Sequence, residues 1–261
     1  MPYTLVHPAA VLPLRRLTGG LLMPSALVVG AMAPDLVGYM PLPRVGLLSH
    51  EWLGVVTVAP LLSLVVLALF HGLLKRPLTD LAPAPLRRRL AGPVNGFRWR
   101  SWKSAAVILL STVVGAATHV LWDDLTHGTY VDWGLDPVIG GFTGTQLVQD
   151  GSSVVGLVAL VWWAVAWYRK APEGEDPRVL THTARTVVRL LLAAGILLSA
   201  ASALVFPPRP LNGEWPTGFG LAWYHATNML LAGVGTGFLL ITLYGVGWTA
   251  YRLTRRRTQP V

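Results

Sequence analysis

Hydrophobic residues in this chain fall into long unbroken runs rather than the periodic stripes of a soluble helix bundle. Five runs, at residues 52–74, 104–122, 153–168, 187–206 and 221–251, are long enough to cross a bilayer as helices, which takes about 20 residues. The third is short, but Trp162, Trp163, Trp167 and Tyr168 give it an aromatic end suited to the membrane interface. A sixth stretch, 21–40, is apolar but interrupted by Pro24, Gly30, Pro34 and Asp35. That pattern predicts a broken span or a re-entrant helix, tolerated where it lines a cavity. The expectation is an all-α integral membrane protein of about six transmembrane helices, the first broken or re-entrant, forming a single membrane-embedded domain over 1–261.

Composition supports this reading. Hydrophobic residues make up 53% of the 261 and charged residues 13%, about half the usual charged share of a soluble protein. The net charge of +9 would suit nucleic acid, but no nucleic-acid motif accompanies it. The basic residues instead cluster between apolar runs, as in cytoplasmic loops that touch anionic lipid. Residues 75–103 hold eight basic residues (Lys75, Arg76, Arg87, Arg88, Arg89, Arg98, Arg100, Lys103) against one acid, Asp80. Residues 169–185 are mixed but flanked by basics, and the tail carries Arg252, Arg255, Arg256 and Arg257. Residues 123–150 have five acids and no Lys or Arg. The positive-inside rule then predicts a multi-pass protein of the bacterial inner (plasma) membrane with a cytoplasmic C-terminus, and with 41–51, 123–150 and 207–220 on the outer side. No charged segment precedes an apolar core at the N-terminus, so no cleavable signal is expected. There is no Cys, so a metal would have to be held by His, carboxylate or backbone oxygen.

Polar side chains collect at the outer ends of these runs. Asp35 lies in Ala33-Pro34-Asp35, His50 in Ser49-His50-Glu51, and Asp150 in Gln149-Asp150-Gly151. The richest stretch is Thr118-His119-Val120-Leu121-Trp122-Asp123-Asp124-Leu125-Thr126-His127. His119, Asp123 and His127 are four apart, which stacks them on one helical face. His225 begins the last run. Each has a plainer reading: a helix cap for Asp35, interfacial histidines for His50 and His225, an exposed acid for Glu51, and turn residues for Asp132 and Asp136 beside Gly134 and Pro137. His71 is expected to pack within its span, and His182 to be solvated in a basic loop. Together, however, imidazoles and carboxylates from separate helix ends on one side suit a divalent cation such as Zn²⁺, Mn²⁺ or Mg²⁺.

The opening Met1-Pro2-Tyr3-Thr4-Leu5-Val6-His7-Pro8-Ala9-Ala10 resembles the N-terminus of a bacterial membrane family of unknown function, type 4184. Gly30-Ala31-Met32-Ala33-Pro34-Asp35, Ser49-His50, His119 through His127 and Gln149 through Gly156 match it in order, over roughly the first 160 residues. That family is similar to inner-membrane metal-dependent hydrolases with an ordered His, Pro-Asp, His, His-x-x-x-Asp pattern, which resembles zinc-dependent phospholipases. The ligands implied by the resemblance are His7, Asp35, His50, His119 and Asp123. The family often has His where Asp150 stands and a small polar residue where Asp124 stands. The two extra carboxylates shift the expected metal towards Mg²⁺ or Mn²⁺. If 21–40 crosses fully, His7 lies on the wrong side; a re-entrant hairpin brings it to the site but places Arg15 and Arg16 deep.

Three functions follow as expectations. The first is metal-assisted hydrolysis of an ester or phosphoester in an amphipathic, lipid-like substrate, with Asp124, Glu51 or His127 as general base or acid. The second is a Mg²⁺-dependent prenyl-diphosphate enzyme, a cyclase, lyase or prenyltransferase, built on Asp123-Asp124. The third is a non-enzymatic membrane protein or transporter with a metal or proton site, although ligands at outer ends rather than the midplane argue against transport.

Overall fold

The computed structural model describes residues 4–37, 48–96, 101–126, 143–208 and 215–258. Every element in them is helical: α1 (Pro8–Val11), α2 (Leu14–Leu17), α3 (Pro24–Leu36), α4 (Trp52–Val56), α5 (Val58–Leu69), a π-helical segment (Phe70–Leu74), α6 (Lys75–Leu81), α7 (Ala84–Gly96), α8 (Trp102–Thr126), α9 (Gly144–Lys170), α10 (His182–Val205) and α11 (Gly218–Thr258). Five stretches are long and apolar enough to cross a membrane: Val58–Leu81, Trp102–Thr126, Gly144–Lys170, His182–Val205 and Gly220–Arg255. The protein is an all-α, multi-pass membrane protein. Its long helices leave large apolar side chains exposed, including Leu61, Val154, Val158, Leu190, Leu197, Phe238 and Leu239. Lipid solvates those faces, which is why the runs read as apolar on all sides.

The first span differs from the sequence expectation of 52–74. Thr57 leaves helical geometry at φ −123°, ψ −73°, splitting α4 from α5. The span then runs past Lys75 and Arg76, whose aliphatic stems let basic residues cap a span without ending it. It stops at Ala82, which is extended at ψ 153° before Pro83, as a residue preceding proline should be. The sixth candidate forms the 13-residue α3, about 20 Å long and short of the ~30 Å hydrocarbon core.

The chain divides into two compact units, Met1–Leu69 with Arg98–Ala171, and Phe70–Phe97 with Pro172–Val261. In the first, α3 lies against α8 at backbone contact. A methyl on Gly30 would overlap the Thr112 carbonyl oxygen, and one on Gly115 would overlap the Leu27 carbonyl oxygen and sit 2.8 Å from the Ala31 nitrogen. Small residues allow this approach, the usual way helices associate where no hydrophobic effect drives them. Two buried clusters flank the crossing: Ala33, Val55, Ala59, Ala116 and Val120, and Val11, Leu22, Leu27 and Ala31.

In the second unit α10 and α11 pair through Gly233 and Gly237 against Ile196, with Ser199 donating to the Ala232 carbonyl at 3.2 Å and Thr236 to Ser199 at 2.7 Å. Asp80, the one acid among the basics of 75–103, is buried at the end of α6. Its carboxylate accepts the backbone N–H groups of Val179 (3.2 Å) and Leu180 (3.0 Å) and the Trp248 indole N–H (2.7 Å), and faces Arg185 at 3.5 Å. Arg87 of α7 makes a bidentate pair with Asp176, Nη2 to Oδ2 at 2.7 Å. That hydrogen bond outweighs burial and lowers the Asp176 pKa, with further help from Arg178 and Arg185. Buried charges need such full pairing to be tolerated.

Candidate metal centre

Four segments of the first unit deliver the cluster. His7 immediately precedes α1, Asp35 sits on the last turn of α3 after Pro34, and His50 precedes α4. His119 and Asp123 occupy the final turns of α8 at the i, i+4 spacing, with His119 Nε2 3.2 Å from Asp123 Oδ2. Asp35, His50, His119 and Asp123 bring one potential ligand atom each to within 4.8 Å of one another. His7 Nε2 joins them at 3.6 Å from Asp123 Oδ1 and 3.9 Å from Asp35 Oδ2. Its ring stacks on that of His119 at 3.7 Å between centroids. The N-terminal hairpin thus brings His7 and Asp35 to one place.

Hydrogen bonds fix which imidazole nitrogens carry protons. His119 Nδ1 lies 2.8 Å from the Ala31 carbonyl oxygen, which can only accept. Nδ1 is therefore the donor, and the neutral ring carries its lone pair on Nε2. That Nε2 is buried and makes no hydrogen bond among the described residues, although Asp123 Oδ2 and Asp35 Oδ1 lie 3.2 and 3.6 Å away. His50 follows the same logic. Ser49 donates its single hydroxyl proton to the Pro34 carbonyl at 2.9 Å, so it can only accept from His50 Nδ1 at 3.2 Å. His50 Nε2 lies at hydrogen-bond distance from Asp35 Oδ1, 3.3 Å, and 3.9 Å from Asp123 Oδ2; in the neutral ring that nitrogen would carry the lone pair.

Lone pairs aimed at carboxylate oxygens repel unless a cation, a proton or a metal, lies between them. Two ligands bound about 2.1 Å from a tetrahedral ion lie about 3.4 Å apart. The spacings here, 3.2 to 3.9 Å, bracket that value. The residues therefore fit a metal ion, and the carbonyl and hydroxyl behind the two rings are the kind of partners that orient metal-binding imidazoles.

The cluster is closed on one side and open on the other. His119 is fully buried and the Asp35 side chain only 3% exposed, whereas the side chains of His50 and Asp123 are 28% and 21% exposed. Behind His7, Trp122 presents its ring edge at 5.9 Å and donates its indole N–H to Ser152 of α9 at 3.3 Å.

Other expected site residues fall differently. Asp124 is half-buried on the last turn of α8, and Glu51 is exposed at the N-cap of α4. Asp150, on the second turn of α9, is not in the four-residue group. His127, Asp132 and Asp136 lie outside the described residues. His71 and His225 belong to the second unit. Ser49, Thr4 and the Ala31 carbonyl were not foreseen. Ser49 and Thr4 are common residues with no diagnostic spacing, and a backbone carbonyl leaves no sequence signal.

No curated protein and no solved structure matches this chain. One family model does, over residues 1–246, well beyond the first 160 that carry the recognisable motifs. The chain belongs to the family described as a domain of unknown function, DUF4184.

Proposed function

We propose that this protein is a membrane-embedded, divalent-metal-dependent hydrolase acting on an ester or phosphoester of a lipid-like substrate. The observation that carries the proposal is the convergence of the Nε2 atoms of His50 and His119 with the Asp35 and Asp123 carboxylates, one potential ligand atom from each lying within 4.8 Å of the others, open on the His50–Asp123 edge. Three imidazoles with two carboxylates favour Zn²⁺ or Mn²⁺ over Mg²⁺, which prefers oxygen alone. A bound divalent ion would supply Lewis-acid polarisation of the ester or phosphoryl oxygen and an activated water. Asp35 and His119, both buried, hold its position. Asp123 and His50, on the open edge, border the space a substrate enters. Asp124 is turned about 100° from Asp123 along the helix and so does not share its aim. It serves as general base or acid, with Glu51 the other carboxylate next to the His50 edge. Exposed Leu121 and Leu125, on the same helical turns as Asp123, suit an acyl chain arriving from lipid. By the basic residues of 75–103 and the tail, the site faces the outer side of the bacterial inner membrane and the C-terminus faces the cytoplasm.

The test measures metal content and turnover on the same detergent preparations, using phosphatidic acid and p-nitrophenyl esters in mixed micelles. The proposal expects about one Zn²⁺ or Mn²⁺ per chain, turnover abolished by chelator and restored by metal, and loss of both metal and turnover in His119→Ala and Asp35→Asn. Wild-type metal content in both variants would overturn the site. Diphosphate release from prenyl diphosphates, with no ester or phosphoester cleavage, would overturn the reaction class.

A further inference from the structure

The second unit contains a basic pocket. A cavity of about 390 Å³ is lined by Arg76, Thr79, Asn95, Val179, Trp248 and Arg252, among others. That volume lies in the range of about 300–1,000 Å³ common for small-molecule sites. Its charged lining is wholly cationic. Arg76 comes from the end of the span Val58–Leu81, and Arg252 from the end of the span Gly220–Arg255. The Arg252 guanidinium lies over the Trp248 ring at 5.6 Å, and Arg76 donates to Asn95 Oδ1 at 3.2 Å. Arg255 reaches the backbone of Val179, another lining residue, at 3.4 Å. The acid behind the pocket is Asp80, whose carboxylate already receives the Trp248 indole, two backbone amides and Arg185. Its negative charge is offset by Arg185 at 3.5 Å.

We propose that this pocket binds a phosphate-bearing anionic group. Arginine forks match phosphate oxygens bidentately, and the Asn95 and Thr79 side chains add polar groups for an ester or glycerol hydroxyl. Because both arginines sit at span ends, they lie at headgroup depth in a bilayer, where basic pockets between helices hold acidic lipids. The same chemistry would take a soluble phosphate, and the experiment separates the two sources.

Native mass spectrometry of the full-length protein, released from micelles doped with phosphatidylglycerol, cardiolipin or phosphatidylcholine, reads retained lipid directly. Wild type is expected to retain the anionic lipids and not phosphatidylcholine. Arg76→Gln/Arg252→Gln should lose retention about tenfold or more, from removal of two surface cations. Arg169→Gln/Lys170→Gln, which removes equal charge from the end of α9, should not. Arg76→Gln alone, an exposed side chain with one described hydrogen-bond partner, tests the pocket if the double variant fails to fold, and should lose retention several-fold. Inorganic phosphate or glycerol phosphate at millimolar concentration, added as competitor, leaves retention intact if the ligand is a lipid; displacement assigns the site to a soluble phosphate. Equal retention in wild type and both Arg76 variants, or equal loss in the Arg169/Lys170 control, would overturn the proposal.

Discussion

Replacing Gly115 with Ala tests how the α3–α8 crossing controls the cluster. The added methyl would overlap the Leu27 carbonyl oxygen and lie 2.8 Å from the Ala31 nitrogen and 3.1 Å from the Gly30 carbonyl carbon. All three are backbone atoms of α3, so no side chain can swing aside. Comfortable carbon contacts lie at about 3.5–4.0 Å, so α3 must retreat by about 1 Å. The 2.8 Å bond from His119 Nδ1 to the Ala31 carbonyl would then stretch to about 3.8 Å, beyond hydrogen-bonding range. His119 would lose the partner that fixes its tautomer and ring plane. Loss of such a partner weakens metal binding about 10- to 100-fold. The overpacking itself costs about 1–3 kcal/mol of stability. Isothermal titration with Zn²⁺ and thermal unfolding of the metal-free protein measure the two effects separately. Gly247→Ala is the comparison, since nothing lies within 4 Å of its added methyl; it should bind zinc as wild type does and gain up to about 1 kcal/mol of helix stability. Wild-type zinc affinity in Gly115→Ala would refute the idea that α3 sets the aim of His119, even if the melting temperature falls.

Ser49→Ala removes the acceptor for His50 Nδ1 and should weaken metal binding about tenfold in the same titration; it also takes the donor from the buried Pro34 carbonyl and so should lower stability by about 1–3 kcal/mol. Asp124→Asn should retain metal and lose turnover, whereas Asp123→Asn loses both; full activity in Asp124→Asn would remove it from the chemistry. The Asp176 carboxylate has its pKa lowered by Arg87, so its stabilising contribution is complete above the unfolded value of about 3.9 and disappears as pH falls through the folded value. Thermal unfolding of wild type should therefore lose more stability below about pH 4 than Asp176→Asn does. In intact cells Thr143→Cys should react with an impermeant maleimide and Ser101→Cys should not; the reverse pattern would invert the orientation.

The five spans were legible because lipid contact makes a helix apolar on every side, and that needs no partner to be recognised. His119 and Asp123 were legible because four-residue spacing on one helix is a local geometric fact. Asp35 and His50 could be named as polar residues at span ends and through the family-like Pro-Asp and Ser-His motifs, and His7 only through the family-like opening of the chain. What brings these together is non-local. Gly30 and Gly115 allow α3 to touch α8, and Gly54, whose added methyl would meet Ser49 Cα at 2.7 Å, allows the segment before α4 to close in. Asp80 was the least legible residue. In sequence it is one acid in a basic stretch, but its partners lie 99, 100 and 168 residues away. The break at Thr57 was equally hidden, because the apolar run continues through it.

Asp80 also bears on how the chain is made. Its carboxylate emerges from the ribosome at the end of the first span, long before Val179 and Leu180, and Trp248 follows only near the end of synthesis. Until the last span is inserted, one of the strongest acceptors in the second unit lacks its indole donor. The nascent protein therefore carries a hydrated acid at the membrane surface that becomes dry only on completion. A chain cut short before Trp248 would leave that carboxylate without its indole donor.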